Sequence, residues 1–133
     1  MTKKTISIFG STGSVGTTTL NILRKNKEKF DVKVLTAYKN IDDLASLANE
    51  FNPDAICFDS EFDLEQVKSK INCDKIECYI GDDGLLECAK FSVDIVIAGI
   101  VGLAGLPPLL ESIRRSKKVC IANKECFVSA GSL

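Results

Sequence analysis

The chain contains no histidine, no Cys-x-x-Cys pair and no marked excess of either charge. Each absence closes a class of function. Without histidine, and without paired cysteine spacing, the sequence offers no zinc ligand set. Seventeen basic and eighteen acidic residues give a formal net charge of −1, interspersed as on a solvated surface. Nucleic acid and anionic membrane both require a basic footprint, so neither is expected as a partner. No apolar run reaches the ~20 residues that cross a bilayer. Met1–Lys4 lead straight into ISIF, Ile6–Phe9, which is far too short for a signal h-region, so no secretory signal is expected. The six cysteines are therefore read as reduced thiols in a cytoplasmic setting, with no metal site. Cys57 and Cys120 lie in the apolar runs AICF and VCIA, where a free thiol behaves as a small core hydrophobe. Repeats, low-complexity linkers and internal boundaries are also missing. The 133 residues, 45% hydrophobic, thus make one domain, residues 1–133.

What is present alternates. TISIFG reads as a strand, and Val15–Lys25, with Leu20, Ile22 and Leu23 apolar, as a helix. KVLTAY follows as a strand. Ile41, Leu44, Leu47, Ala48 and Phe51 recur at helical spacing until Pro53. DAICF is a third strand; Leu64, Val67 and Ile71 mark a helix with Asp63 as cap and Gln66 three residues on. KIECYI is a fourth strand, and a short helix is expected over about 83–90. VDIVIAGI, the most hydrophobic run, predicts a central strand buried on both faces. GLAGLPPLLESIRRS then reads as a helix, KVCIA as a last strand, and NKECFVSAG as the start of a further helix. Strand and helix alternating at this spacing predict an α/β fold with a doubly wound parallel sheet. A final helix that has barely begun suggests an N-terminal piece of a longer protein.

Three glycines at every third position, Gly10, Gly13 and Gly16 of GSTGSVG, fall in the first strand-to-helix turn. A doubly wound sheet binds a dinucleotide at that place: the first glycine allows the turn, the second lets a pyrophosphate approach, and the third lets helix and strand pack closely. Ser11, Thr12 and Ser14 add hydroxyl and N–H donors where the helix dipole favours an anion. A glycine turn that binds nothing is the plain alternative. An NAD-specific domain carries an acid at the end of its second strand for the ribose 2′-hydroxyl. This chain reads AYKN there, with Lys39 at the tip and no acid before Asp42, which suits the 2′-phosphate of NADP. Lys39 also reads as a solvated loop lysine, and Asn40 as a helix cap with Asp43 three residues later. Asn123, Lys124 and Glu125 of IANKE follow the last strand, where open α/β sheets bind ligands. The same residues also read as a charged helix start capped by Asn123.

Taken together, GSTGSVG, GIVGLAGLPPLLESI at Gly99–Ile113 and ANKE at Ala122–Glu125 resemble the 1-deoxy-D-xylulose 5-phosphate reductoisomerase family along the whole chain. The resemblance implies a Rossmann-type NADPH-binding domain, truncated from the N-terminal third of a longer multidomain enzyme. It implies Thr12, Gly13, Ser14 and Val15 as pyrophosphate-side contacts, and Tyr38, Lys39 and Asn40 at the adenosine phosphate end. Asn123 and Glu125 match cofactor-contacting positions and Lys124 a substrate-contacting lysine. Two departures stand out: Tyr38 occupies a position where glycine is common, and Cys126-Phe127 replaces a Ser-Leu pair. The intact enzyme would use NADPH and a divalent cation, Mn or Mg, to rearrange and reduce the sugar phosphate to 2-C-methyl-D-erythritol 4-phosphate in non-mevalonate isoprenoid biosynthesis. It would be a homodimer in the cytoplasm. In that family the metal carboxylates, the active-site loop and most substrate contacts come after the region matched here. No catalytic residue or metal ligand is therefore expected in this chain, which alone would be inactive. Two rivals remain: another GxxGxxG NADP-dependent oxidoreductase, such as a semialdehyde dehydrogenase with a catalytic cysteine downstream, and a non-catalytic nucleotide-sensing module.

Overall fold

The computed structural model describes residues 3–99 and the strand 118–121. The apolar runs become strands β1 (Lys4–Phe9), β2 (Phe30–Thr36), β3 (Ala55–Phe58), β4 (Glu77–Ile80), β5 (Ile95–Ala98) and β6 (Lys118–Ile121). The periodic segments between them become helices α1 (Ser14–Arg24), α2 (Ile41–Phe51), α3 (Leu64–Lys70) and α4 (Gly81–Ala89). The strands form one sheet in the order β4-β3-β2-β1-β5-β6, every pairing parallel.

That order follows from the handedness of crossovers. Three successive β-α-β units step in one direction from β1 to β4, and right-handed connections put α1, α2 and α3 on the same face. Their apolar sides meet the sheet in one core: Leu20 and Leu23 of α1, Leu44 of α2 and Val67 of α3 pack with Ile8, Leu35 and Ile56. The chain then returns past β1 to β5. Cys88 and Ala89 of α4 lie on the opposite face, in a second core with Phe9, Val34, Cys57 and Val96. Helices on both faces make the sheet doubly wound, as the alternation predicts. The direction of winding reverses between β1 and β5, and their carboxyl ends frame the switch point.

Several boundaries differ from the sequence reading. β2 begins at Phe30, which pairs with Lys4, and ends at Thr36. The following Ala37 amide donates to the Cys57 carbonyl and the Asp59 amide to the Tyr38 carbonyl, so the chain stays tied to the end of β3. Asp63 does not cap α3: its backbone is helical and its side chain makes no capping bond. Ser60 instead opens a single 3-10 turn, Glu61–Asp63, its Oγ accepting from the Phe62 amide at 3.2 Å. α4 starts at Gly81, whose φ of +70° lets β4 turn straight into the helix. β5 is an inner strand paired on both edges, but it lies between β1 and β6 rather than at the middle of the sheet. The helices expected within GLAGLPPLLESIRRS and NKECFVSAG fall outside the described residues.

Candidate functional site

The turn after β1 is shaped by close backbone contacts. Gly10 has φ +82°, and a Cβ there would stand 3.1 Å from both the carbonyl carbon and the oxygen of Gly99. The Gly99 amide in turn donates to the Phe9 carbonyl at 2.7 Å, so the ends of β1 and β5 touch at the switch point. At Gly16 a Cβ would lie 2.3 Å from the Gly10 oxygen and 2.7 Å from Ser11 Cα, so α1 packs on the turn through bare backbone. Gly13 is different. Its Cβ would meet only the Gly10 oxygen, at an ordinary 3.5 Å, and it is exposed. Nothing among the described residues demands glycine there, and exposed bare backbone is what an approaching phosphate needs.

The end of β2 holds this turn in place. The Gly10 amide donates to Thr36 Oγ1 at 2.9 Å, and the Ser11 amide and hydroxyl both donate to the Thr36 carbonyl at 2.7 Å. Thr36 and Ser11 are buried. The Ser11 hydroxyl, expected as an anion donor, is therefore engaged inside the protein and braces the turn. Sequence reasoning missed Thr36, and a threonine ending a strand carries no signal that would reveal it.

The N-terminus of α1 opens above this brace. Gly13 is the N-cap with extended backbone, brings no capping side chain, and no acid follows in the first turn. The other described helices carry acids there: Asp42 and Asp43 in α2, Glu65 in α3, Asp82 and Asp83 in α4. Those carboxylates complement their own helix dipoles and repel an anion. At α1 no first-turn acid compensates the dipole, and this terminus lies at the carboxyl ends of the strands, where such sheets bind ligands.

Thr12, Gly13, Ser14 and Val15 thus come together at one place, Thr12 and Val15 half-buried. Thr12 also borders a cavity of about 260 Å³ between α1 and α2, lined further by Thr17, Arg24, Asp43 and Glu50. Two of these lining residues pair, Arg24 donating to Glu50 at 2.5 and 2.8 Å. This bond holds the Glu50 carboxyl below its usual range and raises Arg24. Tyr38, Lys39 and Asn40 form the neighbouring β2–α2 connection. Asn40 caps α2 as its spacing predicts: Oδ1 accepts from the Asp43 amide at 3.4 Å and Nδ2 donates to Asp43 Oδ2 at 2.8 Å. Lys39 and Tyr38 are exposed, the Lys39 ammonium 5.5 Å from the Tyr38 ring centre. Asn123, Lys124 and Glu125 lie outside the described residues; the strand preceding them, β6, pairs Ile121 with Ala98 of β5.

The described cysteines Cys57, Cys73, Cys78 and Cys88 are free thiols. Cys88 is pushed up by a hydrogen bond to Cys57 and by burial, and burial raises Cys78, the reverse of what a nucleophile needs. Among the described residues no group of three or more histidine, cysteine, aspartate or glutamate side chains could hold a metal ion. No helix among them is long and apolar enough to cross a membrane.

A doubly wound sheet, a braced glycine turn at its switch point and an acid-free helix N-terminus define the class: an α/β dinucleotide-binding domain. The chain belongs to the 1-deoxy-D-xylulose 5-phosphate reductoisomerase family, whose model matches residues 6–131. It is 42% identical over 132 residues to the 1-deoxy-D-xylulose 5-phosphate reductoisomerase of Lachnoclostridium phytofermentans, covering 98% of this chain and 34% of that one. The Thermoanaerobacter pseudethanolicus enzyme of the same name is 37% identical over 130 residues, with the same coverage. The structure of the Zymomonas mobilis enzyme in complex with NADPH superposes with a TM-score of 0.86 at 33% identity, covering 92% of this chain and 32% of that one. A reductoisomerase complex with NADPH, fosmidomycin and magnesium superposes at 0.81 and 37% identity, covering 92% and 30%. The chain thus spans about a third of the length of the relatives it matches.

Proposed function

We propose that this chain is the NADPH-binding part of an enzyme that rearranges and reduces 1-deoxy-D-xylulose 5-phosphate to 2-C-methyl-D-erythritol 4-phosphate. The observation that carries this is the acid-free N-terminus of α1 at the switch point, with the exposed Gly13 as its cap. Thr12, Gly13, Ser14 and Val15 would hold the pyrophosphate, and Tyr38, Lys39 and Asn40 the adenosine phosphate. Asn40 contributes chiefly by fixing the connection, since its amide is engaged in the cap. Asn123 and Glu125 would contact the cofactor, and Lys124 the sugar phosphate. NADPH, when bound, supplies the hydride for the reduction. The described residues do not fit a divalent cation; a manganese or magnesium ion would take its ligands from elsewhere in the full-length protein. The same proposal makes that protein a cytoplasmic homodimer.

Titrating NADPH and NADH into the wild-type protein and Lys39→Ala tests the reading. A charge-assisted contact to the 2′-phosphate contributes about 1.5–3 kcal/mol, so the variant should lose roughly 10- to 150-fold in NADPH affinity and little for NADH. Equal affinity of the wild type for both cofactors would overturn it.

A further inference from the structure

We infer that Tyr38 is a positioning residue for Lys39 and thereby sets the preference for the phosphorylated dinucleotide. The inference rests on the proposed function and deepens it. Lys39 has acids close in sequence, yet both are engaged elsewhere. Asp42 pairs with Lys70 of α3, and Asp43 is held by Asn40 through the α2 cap. Among the described residues no carboxylate pairs with Lys39; the partner found for its ammonium is the Tyr38 ring, 5.5 Å to the centroid. An aromatic face attracts a cation without neutralising it. A carboxylate partner would have to be displaced before a phosphate could bind, whereas a ring leaves the charge available and restricts the long side chain.

The backbone under the pair is fixed. The Tyr38 carbonyl accepts from the Asp59 amide at 3.0 Å and the Lys39 carbonyl from the Ile41 amide at 2.9 Å, tying both residues between β3 and α2. Tyr38 is nevertheless 66% exposed, so its ring contributes little to the core. A large aromatic held at the surface on a fixed backbone and facing a lysine is suited to orienting that lysine. Part of the entropy of ordering Lys39 is then lost before ligand arrives, which favours binding of whatever its ammonium meets.

The test measures dissociation constants for NADPH and NADH in the full-length protein for wild type, Tyr38→Phe, Tyr38→Leu, Lys39→Ala and the double variant Tyr38→Leu/Lys39→Ala. Tyr38→Leu should weaken NADPH about two- to fivefold, the size of an exposed cation–π contact, and leave NADH unchanged. Tyr38→Phe keeps the ring and should retain the wild-type preference. In the Lys39→Ala background, Tyr38→Leu should have no further effect on NADPH. Equal weakening of both cofactors by Tyr38→Leu would overturn the inference, because the ring would then be contacting the shared part of the nucleotide. No effect on either cofactor would also overturn it. A strong Lys39→Ala effect with a silent Tyr38→Leu sinks this inference and leaves the proposed function standing; a wild type that binds neither cofactor sinks both.

Discussion

Gly13 and Gly16 stand three residues apart, and alanine at each should fail in a different way. At Gly16 the added methyl would meet the Gly10 oxygen at 2.3 Å and Ser11 Cα at 2.7 Å, both backbone atoms that cannot rotate aside. Gly16→Ala should lower the unfolding free energy in urea by about 3 kcal/mol or more, the upper range for overpacking. At Gly13 the methyl has room and φ is an ordinary −79°. Gly13→Ala should change stability by no more than about 1 kcal/mol, while weakening NADPH at least about tenfold through the methyl facing the phosphate. A folded Gly16→Ala with normal stability would contradict the packing argument; a Gly13→Ala protein that binds NADPH normally would remove the pyrophosphate from this turn. Thr36 gives a third case at the same scale. Valine there is nearly isosteric but leaves the Gly10 amide without its acceptor, so Thr36→Val should cost about 1–3 kcal/mol in urea unfolding, and Thr36→Ser should recover most of it.

Between elements, Arg24 and Glu50 join the last turn of α1 to α2 across the cavity. The hydrogen bond from Arg24 holds the Glu50 carboxyl below its usual value, so the folded chain binds that proton less readily than the unfolded one. The stabilisation is therefore present above about pH 4.3, the ordinary Glu value, and lost as pH falls through the lowered folded value. Both side chains are about a third exposed, 37% and 30%, and solvent screening limits the pair to about 0.5–1 kcal/mol. Glu50→Gln should be less stable than wild type by that amount at neutral pH, and the two unfolding curves should converge at low pH. A constant gap across the acid range would mean that packing, not charge, distinguishes them. The elements themselves were legible where their signals are local: the glycine turn, the Asn40 cap with Asp43, and the apolar spacing of α2. Legibility failed where a distant partner decides. Gly81 looks like a loop residue until its positive φ is seen to start α4, and Ser60 outcompetes Asp63 by opening a 3-10 turn. Thr36 meets Gly10 only through the pairing of β1 with β2, whose register shifts between Ile6 and Ser7, and no pattern within either strand announces that contact.

At the scale of the whole molecule, the two ends of the proposed cofactor site belong to different parts of the chain. The proposed phosphate end is on α1 and the β2–α2 connection, whereas β6, the strand that precedes Lys124 in the sequence, lies on the other side of the switch point in the strand order. This separation predicts that binding and chemistry can be uncoupled by substitution. If Lys124 contacts the sugar phosphate, its ammonium offsets negative charge on the substrate oxygens as they rearrange, an effect strongest in the transition state. Lys124→Ala in the full-length protein should then lower kcat/KM by roughly 10- to 150-fold, equivalent to about 1.5–3 kcal/mol for one charged donor. NADPH affinity should stay within about twofold, because the contacts proposed for its 2′-phosphate and pyrophosphate lie on the other elements. Lys39→Ala should show the opposite split, with NADPH affinity reduced and turnover at saturating NADPH largely kept. A lysine that only solvates a helix start would be worth a few tenths of a kcal/mol. Near-normal kcat/KM in a correctly folded Lys124→Ala enzyme would therefore assign the residue to the surface and move the substrate contact elsewhere.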